Sequence, residues 1–117
     1  MSPKRGDRVA PPPKKGEYEI RFQNTEAAKG WDELCNQVPG NTYDAWSIMR
    51  SHPQETRNPD RHHQMKGTLA TELFRGEPVA RWQIEVTAAG RIWFFIDEER
   101  RTVWIERASP RHPKRTE

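Results

Sequence analysis

Between residues 17 and 22 polar and apolar side chains alternate (Glu17-Tyr18-Glu19-Ile20-Arg21-Phe22), the two-residue period of a strand buried on one side. The period then changes. From Asn24 or Thr25, either able to cap a helix, Ala27, Trp31, Leu34, Cys35 and Val38 recur on one helical face until Pro39-Gly40 stops it. A second helix is predicted from Asn41 or Thr42 to His52-Pro53, with Tyr43, Ala45, Trp46 and Met49 as its packing residues. The turn between the helices is so short that they should form an antiparallel hairpin. Residues 51–64 are polar, contain two prolines and read as a loop. Alternation returns weakly over 68–74 and clearly over 79–87, where Ala80, Trp82, Ile84 and Val86 oppose Arg81, Gln83, Glu85 and Thr87. Ala88-Ala89-Gly90 turns the chain into Arg91-Ile92-Trp93-Phe94-Phe95-Ile96, apolar on both faces and hence central in a sheet. A charged turn over 97–101 leads to a last strand over 102–107.

The order β-α-α-β-β-β predicts one α+β domain, a helical hairpin packed on a small antiparallel sheet. The polar side chains of the last three strands should line a partly open opposite face. The domain spans 17–112. A basic leader, 1–16, contains Pro11-Pro12-Pro13 and is expected to be disordered, as is a short tail, 113–117. With 117 residues and 32% hydrophobic content the core is small and depends on five Trp and four Phe.

Charge sharpens this picture. Residues 1–15 carry five basic and one acidic side chain and residues 100–117 six and two, so each end holds +4 and the stretch between them −5 of the net +3. Cations at the ends suit a polyanion partner, since phosphates are met by Lys and Arg, although basic ends also serve as solubilising tails. The single Cys35 cannot form an internal disulfide, no apolar run is long enough for a membrane span, and the start does not read as a secretory signal. A cytoplasmic location is the expectation.

The stretches Met65-Lys66-Gly67, Arg81-Trp82-Gln83-Ile84-Glu85-Val86, Gly90-Arg91-Ile92-Trp93-Phe94-Phe95-Ile96-Asp97, Val103-Trp104-Ile105 and Arg111-His112 together resemble the RelE/ParE toxin superfamily. The ending Ser109-Pro110-Arg111-His112-Pro113-Lys114 is similar to that of an actinobacterial branch. The resemblance implies the toxin of a type II toxin–antitoxin system, an mRNA endonuclease that works on the ribosome without a metal or other cofactor and is restrained by a cognate antitoxin, in a complex of higher oligomeric order. In such enzymes the ribose 2′-hydroxyl attacks the adjacent phosphate, which needs a base, an acid and cations for the charge on the phosphorane.

Residue by residue, the resemblance makes Arg91 the contact to the scissile phosphate, Arg111 a second phosphate clamp and His112 an acid or base. Glu85 and His63 are candidate bases, and Arg81, Lys66, Lys114 and Arg115 are candidate RNA contacts. Other readings stand beside these. Arg91 could pair with Glu85, Arg111 and His112 could be solvated tail residues, and His62-His63 could be polar loop. Trp93 and Trp104 read as sheet packing rather than base-stacking platforms. Gln83 and Glu85 stand where the strictest RelE members carry lysines, and the C-terminal tyrosine of those members is absent. The competing functions are a ParE-like gyrase inhibitor, a non-catalytic nucleic-acid-binding module and a domain that only binds an antitoxin.

Overall fold

A computed structural model describes residues 5–6 and 9–111. Among them the elements follow as β1 (Glu19–Phe22), α1 (Thr25–Gln37), α2 (Pro39–Ser51), β2 (His62–Gln64), β3 (Thr71–Phe74), β4 (Glu77–Ala80), β5 (Trp82–Glu85), β6 (Arg91–Asp97) and β7 (Thr102–Ser109), with one 3₁₀ turn at Gly67–Leu69. Five strands form the main sheet in the order β1-β7-β6-β5-β2, and both helices lie on one of its faces. The architecture is the expected α+β one.

Three details depart from expectation. The sheet is mixed, because β1 runs parallel to β7; no hairpin joins these two strands, so nothing imposes the opposite direction. His62–Gln64, read as loop, is a strand that pairs antiparallel with β5. Its side chains are polar, but His62 is buried, with its ring 5.4 Å from that of Trp82 and 6.1 Å from that of Phe94. Finally, the alternating stretch over 79–87 breaks at Arg81. Its first part, β4, belongs to a separate hairpin with β3, closed by Arg75 (φ 54°) and Gly76 (φ 82°). Two successive positive φ values match the right-handed twist of a two-residue hairpin.

The helical elements follow their local signals. The Asn24 side chain accepts from the Ala27 amide at 2.7 Å and donates to the Glu106 carbonyl at 3.1 Å, so the cap of α1 is also its tie to β7. A Cβ on Gly30 would stand 1.7 Å from the Ala108 carbonyl oxygen, so only glycine lets α1 approach β7 this closely. Pro39 does not merely stop α1 but occupies the first position of α2, where its missing N–H costs nothing. Thr42 closes the junction by donating to the Leu34 and Val38 carbonyls. Ala45 and Met49 are buried as expected, whereas Tyr43 is 65% exposed and stacks on Trp46.

The core lies between helices and sheet, where Ala27, Leu34 and Met49 meet Ile84, Ile92, Phe94, Val103 and Ile105. Beside it the last residues of the leader run past α2, with Arg50 donating to the Pro11 carbonyl at 2.6 Å and Arg101 to that of Gly16 at 2.6 Å. The β3–β4 hairpin folds over one end of the opposite, outer face. There Phe74 packs 5.0 Å from Phe95 and 5.7 Å from Trp104.

Candidate nucleic-acid interface

Strand register sets the site. His63 pairs with Gln83, Gln83 with Trp93 and Trp93 with Arg107, so four residues from β2, β5, β6 and β7 form one row across the outer face. Three interstrand gaps of about 4.8 Å separate its ends by ~14 Å. The register between β6 and β7 shifts at Trp93/Phe94: Phe94 faces Ile105, but Trp93 faces Arg107. Glu106 is thus the extra residue of a β-bulge, and the bulge brings Arg107 into the row. Trp93 is 3% exposed; its indole N–H donates to Gln83 Oε1 at 2.8 Å, and the guanidinium carbons of Arg81 and Arg107 lie 5.4 and 5.5 Å from its ring. It packs between cations and offers no free ring face for a base.

Two clefts border the row. One, of about 910 Å³, runs between the start of α1, the β3 strand and the end of β7, and includes Lys29, Arg81, Trp93, Glu106, Arg107 and Arg111 in its walls. The other, of about 730 Å³, lies at the β2 edge and includes His63, Lys66 and Gln83. Thr68 belongs to both, which makes them neighbours.

Arg81 projects onto the outer face, as its alternation with Trp82 requires, but its guanidinium is occupied. Nε and Nη2 donate to Glu106 at 2.8 and 2.6 Å, Nη2 also to Glu72 at 3.2 Å, and Nη1 to the Leu69 carbonyl at 3.2 Å. The residue is 8% exposed. The Glu106 hydrogen bonds raise the Arg81 pKa further. Burial pushes the Glu106 carboxyl up, while its hydrogen bond with Glu106 holds Glu72 below the usual carboxylate range. The expected open contact to RNA is therefore an internal ion cluster, because its two carboxylates come from β3 and β7.

Arg91 is likewise engaged. Its Nη1 donates to the carbonyls of Thr87, Ala88 and Gly90 at 3.1, 2.9 and 3.1 Å, which locks the β5–β6 turn. Its Nη2 stands 3.9 Å from Glu85, its register partner, and Arg91 lines neither cleft. The pairing with Glu85 is present and the presentation to a phosphate is not. Glu85 forms the next row with Arg91 and Ser109 and shares no cleft wall with His63.

His63 points away from His62, as neighbours on a strand must. His62 Nε2 lies 2.7 Å from the Pro53 carbonyl, and burial lowers the His62 pKa, so this ring is a neutral core residue. His63 Nδ1 lies 3.0 Å from the Gln64 carbonyl. A carbonyl only accepts, so Nδ1 carries a proton, and in the neutral ring Nε2 is then the acceptor. Lys66 is exposed beside it, and Arg111 is exposed in the larger cleft. His112, Lys114 and Arg115 lie outside the described residues. Arg107 was not singled out from the sequence, where it is one more basic residue near the end of a strand. Only the bulge gives it a place. Among the described residues no cluster of metal-ligating side chains is assembled and no helix is long and apolar enough to cross a membrane.

No protein-family model matches the chain, and no curated protein matches it significantly. Solved structures do. A chain of the archaeal RelE–RelB complex from Pyrococcus horikoshii superposes with a TM-score of 0.55, covering 80% of this chain and 94% of that one at 13% identity. A chain of the toxin–antitoxin complex RelBE2 from Mycobacterium tuberculosis is matched over 87% of this chain and 100% of its own length, at 22% identity and a TM-score of 0.44. The first likeness shows that this chain has the RelE fold.

Proposed function

We propose that this chain is the toxin of a toxin–antitoxin pair, and that its outer sheet face binds single-stranded RNA and cleaves it without a metal. The observation that carries this reading is the row His63–Gln83–Trp93–Arg107, which has an imidazole with a free Nε2 at one end and uncommitted cations at the other. Arg107 and Arg111 hold a phosphate of the strand in the larger cleft, and Lys66 neutralises charge beside His63. His63 Nε2 takes the proton of a ribose 2′-hydroxyl. The 2′-oxygen then bonds to the adjacent phosphorus, the bond to the 5′-oxygen breaks, and the leaving oxygen takes a proton from water while the protonated His63 returns its own to solvent, giving a 2′,3′-cyclic phosphate and a 5′-hydroxyl. Arg91 and Glu85 act on this site by holding the β5–β6 turn. An antitoxin with an acidic segment is the partner that the exposed Arg107, Arg111 and Lys66 suit.

The engagement of Arg81 and Arg91 favours a second reading, a face that binds RNA without cutting it. One experiment separates the two. The purified protein is incubated with mRNA in EDTA, with and without ribosomes, and the product ends are identified. Cyclic phosphate ends, lost in His63→Ala while RNA binding persists, are the expected result. Binding with no cleavage under either condition would leave the non-catalytic module. Absence of RNA binding, together with a DNA-damage response on expression, would replace both with the gyrase inhibitor.

A further inference from the structure

The β7 bulge sends two consecutive residues of opposite charge, Glu106 and Arg107, to the walls of the same cleft. Left alone, adjacent opposite charges on one surface satisfy each other, and three more acids, Glu26, Glu33 and Glu72, line the same cleft, of which Glu26 is paired with Lys29. In the structure this does not happen. Glu106 is paired bidentately with Arg81, Glu72 is bonded to the same guanidinium, and neither Arg107 nor Arg111 has a salt-bridge partner among the described residues. The side chains of Arg81 and Glu106 are 9% and 12% exposed, so this pair sits below the cleft surface with Glu72, 33% exposed, at its edge, whereas Arg107 and Arg111 are exposed upon it.

We infer that Arg81 is a positioning residue which sequesters Glu72 and Glu106, keeps their charge from Arg107 and Arg111, and so leaves these two cations open to RNA phosphates without touching the RNA itself. The inference rests on the RNA-binding reading above and assigns it a specific device. A lysine could not replace Arg81 in this role, because one ammonium cannot present the parallel pair of donors that meets both oxygens of Glu106. Without the guanidinium, the two carboxylates are left to the other cations of the same cleft, Arg107 and Arg111 among them.

The test is the affinity of the full chain for a short fluorescein-labelled 2′-O-methyl oligoribonucleotide, which cannot be cleaved, measured by anisotropy across a salt series. Arg81→Met should weaken binding roughly tenfold at low salt and flatten the log-affinity against log-salt slope by ~0.7 for each cation captured. The triple variant R81M/E72Q/E106Q should bind at least as tightly as wild type, with the wild-type slope restored, although it still lacks the arginine. A triple variant as weak as Arg81→Met would overturn the inference and make Arg81 a direct phosphate contact. Arg81→Met buries unpaired carboxylates and could unfold; the triple variant buries none, so its comparison with wild type is decisive alone, with its melting midpoint as the check on folding. If wild type itself fails to bind the oligonucleotide, the RNA-binding reading falls and this inference with it. If wild type binds and the triple variant does not, only the inference falls.

Discussion

The two faces of the main sheet are built from the same strands and differ in how burial is satisfied. On the helix face, Ile84, Ile92, Phe94, Val103 and Ile105 are at most 3% exposed and pack in an apolar cluster, with the His62 ring beside Phe94. On the outer face, Arg81, Gln83, Trp93 and Arg91 are also no more than 8% exposed, yet each is polar and each has a partner. Burial therefore does not distinguish the two faces. The distinction is that the outer face consumes its charges in pairs until, among the described residues, a few cations remain over, and those few carry the proposed interface. A buried arginine with its donors filled is scaffold; an exposed one without a carboxylate is available to a ligand.

This comparison can be broken at several points. The largest effect is expected on the helix face. Phe94→Ala should cost about 3–5 kcal/mol of stability, since it empties the centre of the core, and urea denaturation checks this. Arg91→Met comes next: if the guanidinium is scaffold, losing its charged hydrogen bonds to three turn carbonyls should cost about 1.5–3 kcal/mol. A variant of unchanged stability that had lost RNA affinity would instead return Arg91 to the interface.

A smaller effect concerns pH. Burial holds the His62 pKa below its ordinary 6.5, so its contribution to stability is complete above that value and is lost as pH falls through the lowered folded value. The melting midpoint should therefore drop as pH falls below 6.5, and His62→Gln, whose amide can still donate to Pro53, should reduce the drop. A residual slope of the same sign remains from His52, whose pKa burial also lowers. The smallest stability effect belongs to the interface. Arg107→Ala should change stability by no more than ~0.5 kcal/mol. Its salt slope for RNA binding should nevertheless fall by ~0.7.

Much of the fold was legible along the chain. The two-residue period of residues 17–22, the helical spacing of Ala27, Trp31 and Leu34, and the doubly apolar run after Arg91 each report burial that local periodicity records. The site was less so. β2 is three polar residues whose strand character comes from pairing with β5, not from a pattern of its own. Arg81 was correctly placed opposite Trp82, but its carboxylate partners are 9 and 25 residues away and no local rule joins them.

What the sequence determined by itself is the first strand, the two helices and the last two strands, the faces of the strands it recognised, and the surplus of cations near the end of the chain. What only the tertiary structure decided is which of those cations are free. One extra residue in β7 makes Trp93 face Arg107 where regular pairing would have given it Glu106, and Arg81 then draws Glu106 and Glu72 away. The reason is physical. Periodicity records which side chains avoid water, whereas the state of a charge depends on register and on partners distant in sequence, which exist only once the strands are assembled.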